Sequence, residues 1–196
     1  MAPFVIGFYG QSDSGKTTLI TRLTKALSRQ GYHVATVKQS EKRITLDSKG
    51  KDTWRHTHAG AQIVCFSTPY ETTMFIRKKL PVHDLVRTLM VMRPIDCIFV
   101  EGASDPLIPK IRLGSRKKRP LTLMDYTGDF TSLLKFIQSR ITTQSKTAVY
   151  VSVNGTSIPL TEFPSTVIHN TILGLLSSLK GVDTIHTVDI HLQSTP

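Results

Sequence analysis

Eight consecutive residues carry the most legible chemistry in this chain: Gly10-Gln11-Ser12-Asp13-Ser14-Gly15-Lys16-Thr17. They satisfy G-x-x-x-x-G-K-[ST], the spacing of a loop that cradles polyphosphate. In such a loop successive backbone N–H groups and the positive end of the following helix converge on the anion. Glycine lets the chain approach without a Cβ. Lys16 is expected to reach the β- and γ-phosphates. The Thr17 hydroxyl is expected to ligate Mg²⁺, which bridges phosphate oxygens, and Thr18 completes the binding segment. A site of this kind needs a second acidic group at the end of a neighbouring buried strand. Glu101 fits, because it terminates the apolar run Cys97-Ile98-Phe99-Val100 and is followed by Gly102. Its carboxylate should emerge at the C-terminal edge of a sheet, on the phosphate side. Asp96, at the other end of the run, should face away.

A polar stretch from Gln39 to Gly60 contains Asp47, Lys49, Lys51, Asp52, Arg55, His56 and His58. Loops of that length are usually functional, and this one is expected to face the nucleotide, with its cations neutralising charge on phosphate. Asp47 joins Lys16 and Glu101 as a candidate catalytic residue, Asp47 or Glu101 being the general base if the chain transfers phosphate to an acceptor hydroxyl. His56 and His58 would splay apart on a helix, so no shared metal is expected there. The run Arg116-Lys117-Lys118-Arg119 reads as a solvated loop. Without interleaved aromatic residues it does not argue for nucleic acid. Neither Asn-Lys-x-Asp nor Thr-Lys-x-Asp occurs, so the residues alone leave guanine and adenine open.

These groups need a frame. Phe4 to Phe8 reads as a strand leading into the glycine loop, and from Lys16 the apolar positions Leu19, Ile20, Leu23, Ala26 and Leu27 repeat as one face of a helix that Gly31 stops. His33 to Lys38 reads as a second strand, completing a βαβ unit. A helical turn is expected near Asp52 to Ala59, and strands at Ile63 to Phe66 and Thr73 to Ile76. A helix is expected over Val82 to Met92 with Leu85, Leu89 and Met92 inward, then a buried central strand at Cys97 to Val100. A short strand at Leu121 to Met124 and a helix at Phe130 to Ile141 follow. After the polar segment Thr142 to Lys146 the pattern becomes alternating, with Val149, Val151 and Val153 before Asn154-Gly155 and Ile158 and Leu160 after it. That is a hairpin signal. A helix at Pro164 to Leu179 and a strand around Val188, Ile190 and Leu192 complete the chain. The expected class is α/β, a P-loop NTPase-like, mostly parallel sheet flanked by helices, with a small C-terminal α+β module. The expected division is a nucleotide-binding domain at 1–145 and a hairpin-helix-strand module at 146–196.

The chain has 196 residues, 39% hydrophobic and 20% charged, which suits a packed core and excludes a disordered chain. No apolar run approaches the length that spans a bilayer, and Met1-Ala2-Pro3 does not open a secretory signal, so a cytoplasmic protein without a membrane is expected. The cysteines, Cys65 and Cys97, both lie in apolar runs and read as buried core thiols rather than a disulfide framework. A net charge of +11 favours anionic partners.

Together the segments FVIGFYGQSDSGKTTLITRL, VATVK, LDSKGKDTWRHTHAGA and IFVEG resemble the molybdopterin-guanine dinucleotide biosynthesis adaptor family, MobB. The resemblance covers about the first 115 residues. It rests on Gly50-Lys51-Asp52, Arg55-His56, Ala59-Gly60-Ala61 and Val100-Glu101-Gly102 as well as on the P-loop. SVNGTSIPL and the helix ending SLKG look like an extension that some members carry. The resemblance implies a GTP-binding protein, usually a homodimer, with weak intrinsic GTPase activity. Such a protein assists the molybdopterin nucleotidyltransferase that attaches GMP to molybdopterin, with molybdenum or tungsten as the metal of the finished cofactor. By position it assigns phosphates and Mg²⁺ to Gly10, Gly15, Lys16 and Thr17, the acidic strand end to Glu101, and a substrate-proximal loop to Asp47, Lys51 and Asp52. Where the family tends to place histidines after Val37-Lys38, this chain has Gln39, Ser40 and Glu41. A P-loop small-molecule kinase and a nucleotide-dependent metallochaperone are the alternatives.

Overall fold

A computed structural model describes residues 3–42, 44–144, 149, 151–153, 156–158, 160–185, 188, 190 and 192. Strand β1 (Phe4–Gly10) runs into the P-loop and helix α1 (Lys16–Ser28), and β2 (Val34–Lys38) follows. Next come α2 (Asp52–His58), β3 (Ile63–Ser67), β4 (Thr72–Ile76), α3 (Val82–Met92), β5 (Cys97–Glu101), β6 (Lys110–Leu113), β7 (Thr122–Tyr126) and α4 (Phe130–Gln144). The C-terminal segment contributes β8 (Val151–Val153), β9 (Thr156–Ile158) and α5 (Glu162–Ser177).

The main sheet has five parallel strands in the order β2-β5-β1-β6-β7. β1 and β2, joined by α1, are therefore not neighbours. β5 lies between them, with Gly7 opposite Val100 and Lys38 opposite Glu101. Because side chains alternate across a strand, β5 feeds both cores. Cys97 and Phe99 join Phe4, Ile6 and Phe8 beneath α1 and α4, which contribute Leu19, Leu23, Leu27, Leu133 and Ile137. Ile98 and Val100 join Val82 and Val86 of α3 on the other side. Each such fully buried apolar side chain contributes roughly 1.5–3 kcal/mol, which fixes the position of the strand ends. Buried beneath these helices, the Cys97 thiol is pushed far above its ordinary range, with Asp96 adding to the effect.

Several expectations need correction. Strands β3 and β4 do not enter the parallel sheet. They form a separate antiparallel hairpin, Cys65 opposite Met74, and Cys65 is exposed rather than a core thiol. On α3 the buried pair is Val82 and Val86, with Leu89 partly buried, whereas Met92 is 55% exposed at the helix end. β6 was not foreseen, because its four residues, Lys110-Ile111-Arg112-Leu113, alternate cation and apolar and begin with Lys110. That lysine is wholly buried, and its Nζ donates to the carbonyl oxygens of Ile108 (2.6 Å) and Pro120 (3.3 Å). Burial pushes its pKa down.

In the C-terminal segment, β8 and β9 pair as the expected antiparallel hairpin, Val151 opposite Ile158. The turn at Asn154-Gly155 lies outside the described residues, and of the expected strand at 188–192 the described residues Val188, Ile190 and Leu192 belong to no strand. Among the described residues no helix is long and apolar enough to cross a membrane.

Candidate functional site

At the C-terminal edge of the sheet β1 ends in Gly10, whose position is set by packing. A Cβ there would lie 2.3 Å from the carbonyl oxygen of Leu113 at the end of β6. Glycine at position 10 therefore lets two strands close up beneath the loop, a need distinct from approach to an anion. At the far end of the loop Gly15 takes φ +80°, the left-handed conformation that side chains disfavour, and caps α1. Asp13 also has positive φ, 57°, in the turn between them. No acidic residue occupies the first turn of α1 and no side chain caps it. Its free N–H groups therefore face solvent beside the loop, ready for an anion.

Lys16 curls back over its own loop. Its Nζ donates to the carbonyl oxygens of Gln11 and Gly10 and lies 3.2 Å from Ser14 Oγ. These are contacts a phosphate would replace. Thr17, the next residue, donates from Oγ1 to Glu101 Oε1 at 2.7 Å. The Glu101 side chain is only 14% exposed, and the same oxygen lies 3.4 Å from Lys38 Nζ as an ion pair. Hydroxyl and carboxylate together form the hard-oxygen donor set that Mg²⁺ prefers. Asp96 faces away as expected. It sits at the opposite end of β5 and accepts the His33 backbone N–H at 2.7 Å.

Lys38 is the site residue that sequence reasoning missed. The signal was present in VATVK, but it becomes meaningful only once β2 lies beside β5 rather than beside β1, which places Lys38 directly opposite Glu101. Gly102 makes that approach possible, since a Cβ there would meet the Gln39 carbonyl oxygen at 2.7 Å. A groove of about 460 Å³ opens from this point between α1 and β2. It is lined by Thr17, Thr21, Thr24 and Lys38, with Ile20 and Phe99 among its apolar residues.

Not every candidate gathers here. Asp47 accepts the Thr53 hydroxyl at 2.7 Å, and Asp52 lies 4.0 Å from Arg55. Lys51 precedes α2 and is exposed. Among the described residues no hydrogen bond or ion pair joins Asp47, Lys51 or Asp52 to the loop at 10–17. Trp54 and His58 stack on each other at 3.7 Å, and no metal-ligating group of three is found among the described residues.

With this geometry in place, comparison with known proteins becomes informative. Residues 5–133 match the family model of MobB, molybdopterin guanine dinucleotide synthesis protein B. The chain belongs to the MobB family. A Methanocaldococcus jannaschii protein, provisionally named a molybdopterin-guanine dinucleotide biosynthesis adapter protein, is 26% identical over 96% of this chain and 97% of its own length. The Haemophilus influenzae adapter protein of the same name is 31% identical over 62% of this chain and 69% of its own. Crystallographic MobB of Bacillus subtilis superposes with a TM-score of 0.56 at 19% identity, covering 69% of this chain and 96% of that one. A second MobB crystal structure gives 0.53 at 22% identity over 70% and 99%. The fold is thus the α/β, P-loop NTPase-like fold of MobB. The family match reaches 133, past the 115 or so residues that carried the resemblance.

Proposed function

We propose that this MobB-type adapter binds GTP with Mg²⁺ and assists a molybdopterin nucleotidyltransferase in attaching GMP to molybdopterin. The observation that carries this reading is the 2.7 Å contact between Thr17 Oγ1 and Glu101 Oε1 at the mouth of the glycine loop. The backbone of Gly10, Gln11, Ser12, Asp13, Ser14 and Gly15 would hold phosphate oxygens, with Thr18 extending the N–H array into α1. Lys16 would exchange its internal acceptors for the outer phosphates. Thr17 and Glu101 would hold Mg²⁺, which when bound supplies charge neutralisation across the phosphates. Lys38, already against Glu101, keeps that carboxylate oriented. Guanine as the base is part of this proposal; the guanine dinucleotide in the family's description supports it, and no base-reading motif does.

A weak intrinsic GTPase suits this arrangement. Asp47, the candidate base in the long loop, is committed to Thr53, and Glu101 is committed to Thr17 and Lys38. Lys51 and Asp52, exposed at the start of α2, remain available to a substrate. The hairpin β3–β4 exposes Ile63 and Met74 on one face, apolar side chains that support a homodimer. We assign the protein to the cytoplasm, with no role for nucleic acid or membrane. The test is a reconstituted assay of GMP attachment to molybdopterin by the nucleotidyltransferase. Added wild-type protein should raise the yield and Lys16→Ala should not, and equal stimulation by both would contradict the reading.

A further inference from the structure

Against the P-loop lies a second loop, residues 114–121, which connects β6 to β7 and carries the basic run Arg116-Lys117-Lys118-Arg119. The sequence alone reads that run as solvated charge. In the fold it is braced. Tyr9, buried in β1, accepts the Arg119 backbone N–H at 3.0 Å, and the Arg119 guanidinium lies 5.1 Å from the Tyr9 ring centre and donates to the Ala103 carbonyl at 2.6 Å. Arg112 makes a two-pronged bond to Asp125, both contacts 2.7 Å, and donates to the Arg116 carbonyl at 2.9 Å. At the near end Ser115 Oγ is 3.5 Å from Gln11 Oε1, and Gly114 packs over the same Gln11 side chain. Gln11 belongs to the P-loop, so the two loops share a wall.

The bracing uses up some of the charges and spares others. Arg112 and Lys118 share Asp125, whose carboxyl is held below its usual range by the Arg112 guanidinium, and Arg119 is spent on Ala103 and Tyr9. Among the described residues the exposed side chains of Arg116 and Lys117 have no hydrogen bond, ion pair or ring contact. Two unpaired cations on a loop fixed at both ends lose little freedom on binding an anion, and arginine fits phosphate oxygens with two parallel bonds.

We propose that Arg116 and Lys117 form a second phosphate-binding element, contiguous with the P-loop and separate from Lys16, Thr17 and Glu101. Its ligand is a phosphate or pyrophosphate group, carried either by the outer end of the nucleotide or by a second phosphorylated molecule brought to it. The inference rests on the P-loop reading for its neighbour but not for its own test.

Calorimetry on the full chain decides it, with GTP, GDP and inorganic pyrophosphate as probes. The variants are Arg116→Ala/Lys117→Ala, Lys16→Ala, and a charge-matched control, Lys78→Ala/Lys79→Ala, at exposed positions elsewhere. If the nucleotide supplies the phosphate, the first variant should lose GTP affinity by roughly 10-fold or more while GDP affinity stays put. If a second molecule supplies it, GTP and GDP affinities are unchanged but pyrophosphate no longer binds the GTP-saturated protein. Either result supports the element. Behaviour indistinguishable from the Lys78/Lys79 control in every titration overturns it. Should the wild-type chain bind neither nucleotide, the P-loop reading fails alone. Pyrophosphate without nucleotide then still decides the second element, which requires binding lost in Arg116→Ala/Lys117→Ala and kept in Lys16→Ala.

Discussion

The edge of the five-stranded sheet and the C-terminal helix α5 use similar apolar residues to opposite ends. At the sheet edge Phe8, Phe99, Val100 and Ile111 are fully buried, and the P-loop is held close to the end of β6 beneath it. In α5 no residue is buried, and Phe163 and Leu175 are 78% and 65% exposed. The lesson is that geometry for chemistry comes from depth of packing, not from apolar content. Lys16 and Thr17 of the P-loop stay in register with Glu101 of β5 because β1, β5 and β6 are locked side by side. The relatives divide along the same line: the family model stops at residue 133, while the archaeal relative extends over nearly the whole chain.

Glycines offer the sharpest way to break this contrast. Gly10→Ala forces a Cβ against the Leu113 carbonyl, a backbone atom with nowhere to go, so stability should fall by about 2–3 kcal/mol in chemical denaturation. An unchanged midpoint would mean that the strand ends are looser than described. Gly174→Ala, inside α5 with open space around its Cβ position, should act in the other direction and stabilise by about 0.5–1 kcal/mol in the same measurement. A loss there would mean that α5 is packed closely against something. Smallest of all, removing residues 146–196 should leave GTP affinity within about twofold, since among the described residues no hydrogen bond or ion pair joins that segment to the site. Failure of residues 1–145 to fold would move the domain boundary.

Much of this edge was legible before any fold was known. The glycine loop announced itself by spacing, and Glu101 by standing at the end of four apolar residues. What stayed hidden depended on which strands are neighbours. Lys38 gains its role only because β5 inserts between β1 and β2, a fact of topology that no local pattern contains. β6 was obscured by Lys110, a cation in a core position that two backbone carbonyls make tolerable. Cys65 was misread because an apolar run in a two-stranded hairpin looks the same as one in a central strand. The basic run at 116–119 was legible as charge, but the attachment of Arg119 to Tyr9 and of the preceding Ser115 to Gln11 was not.

The pairing of Thr17 with Glu101 is the point on which the functional account turns, and calorimetric titration of GTP in Mg²⁺ and again in excess chelator addresses it directly. Wild-type protein should bind GTP more tightly in Mg²⁺, and Thr17→Ala should bring the two affinities together by removing roughly 1.5–3 kcal/mol of the metal-dependent part. A wild-type affinity indifferent to Mg²⁺, or a Thr17→Ala variant with the full Mg²⁺ dependence, would contradict it.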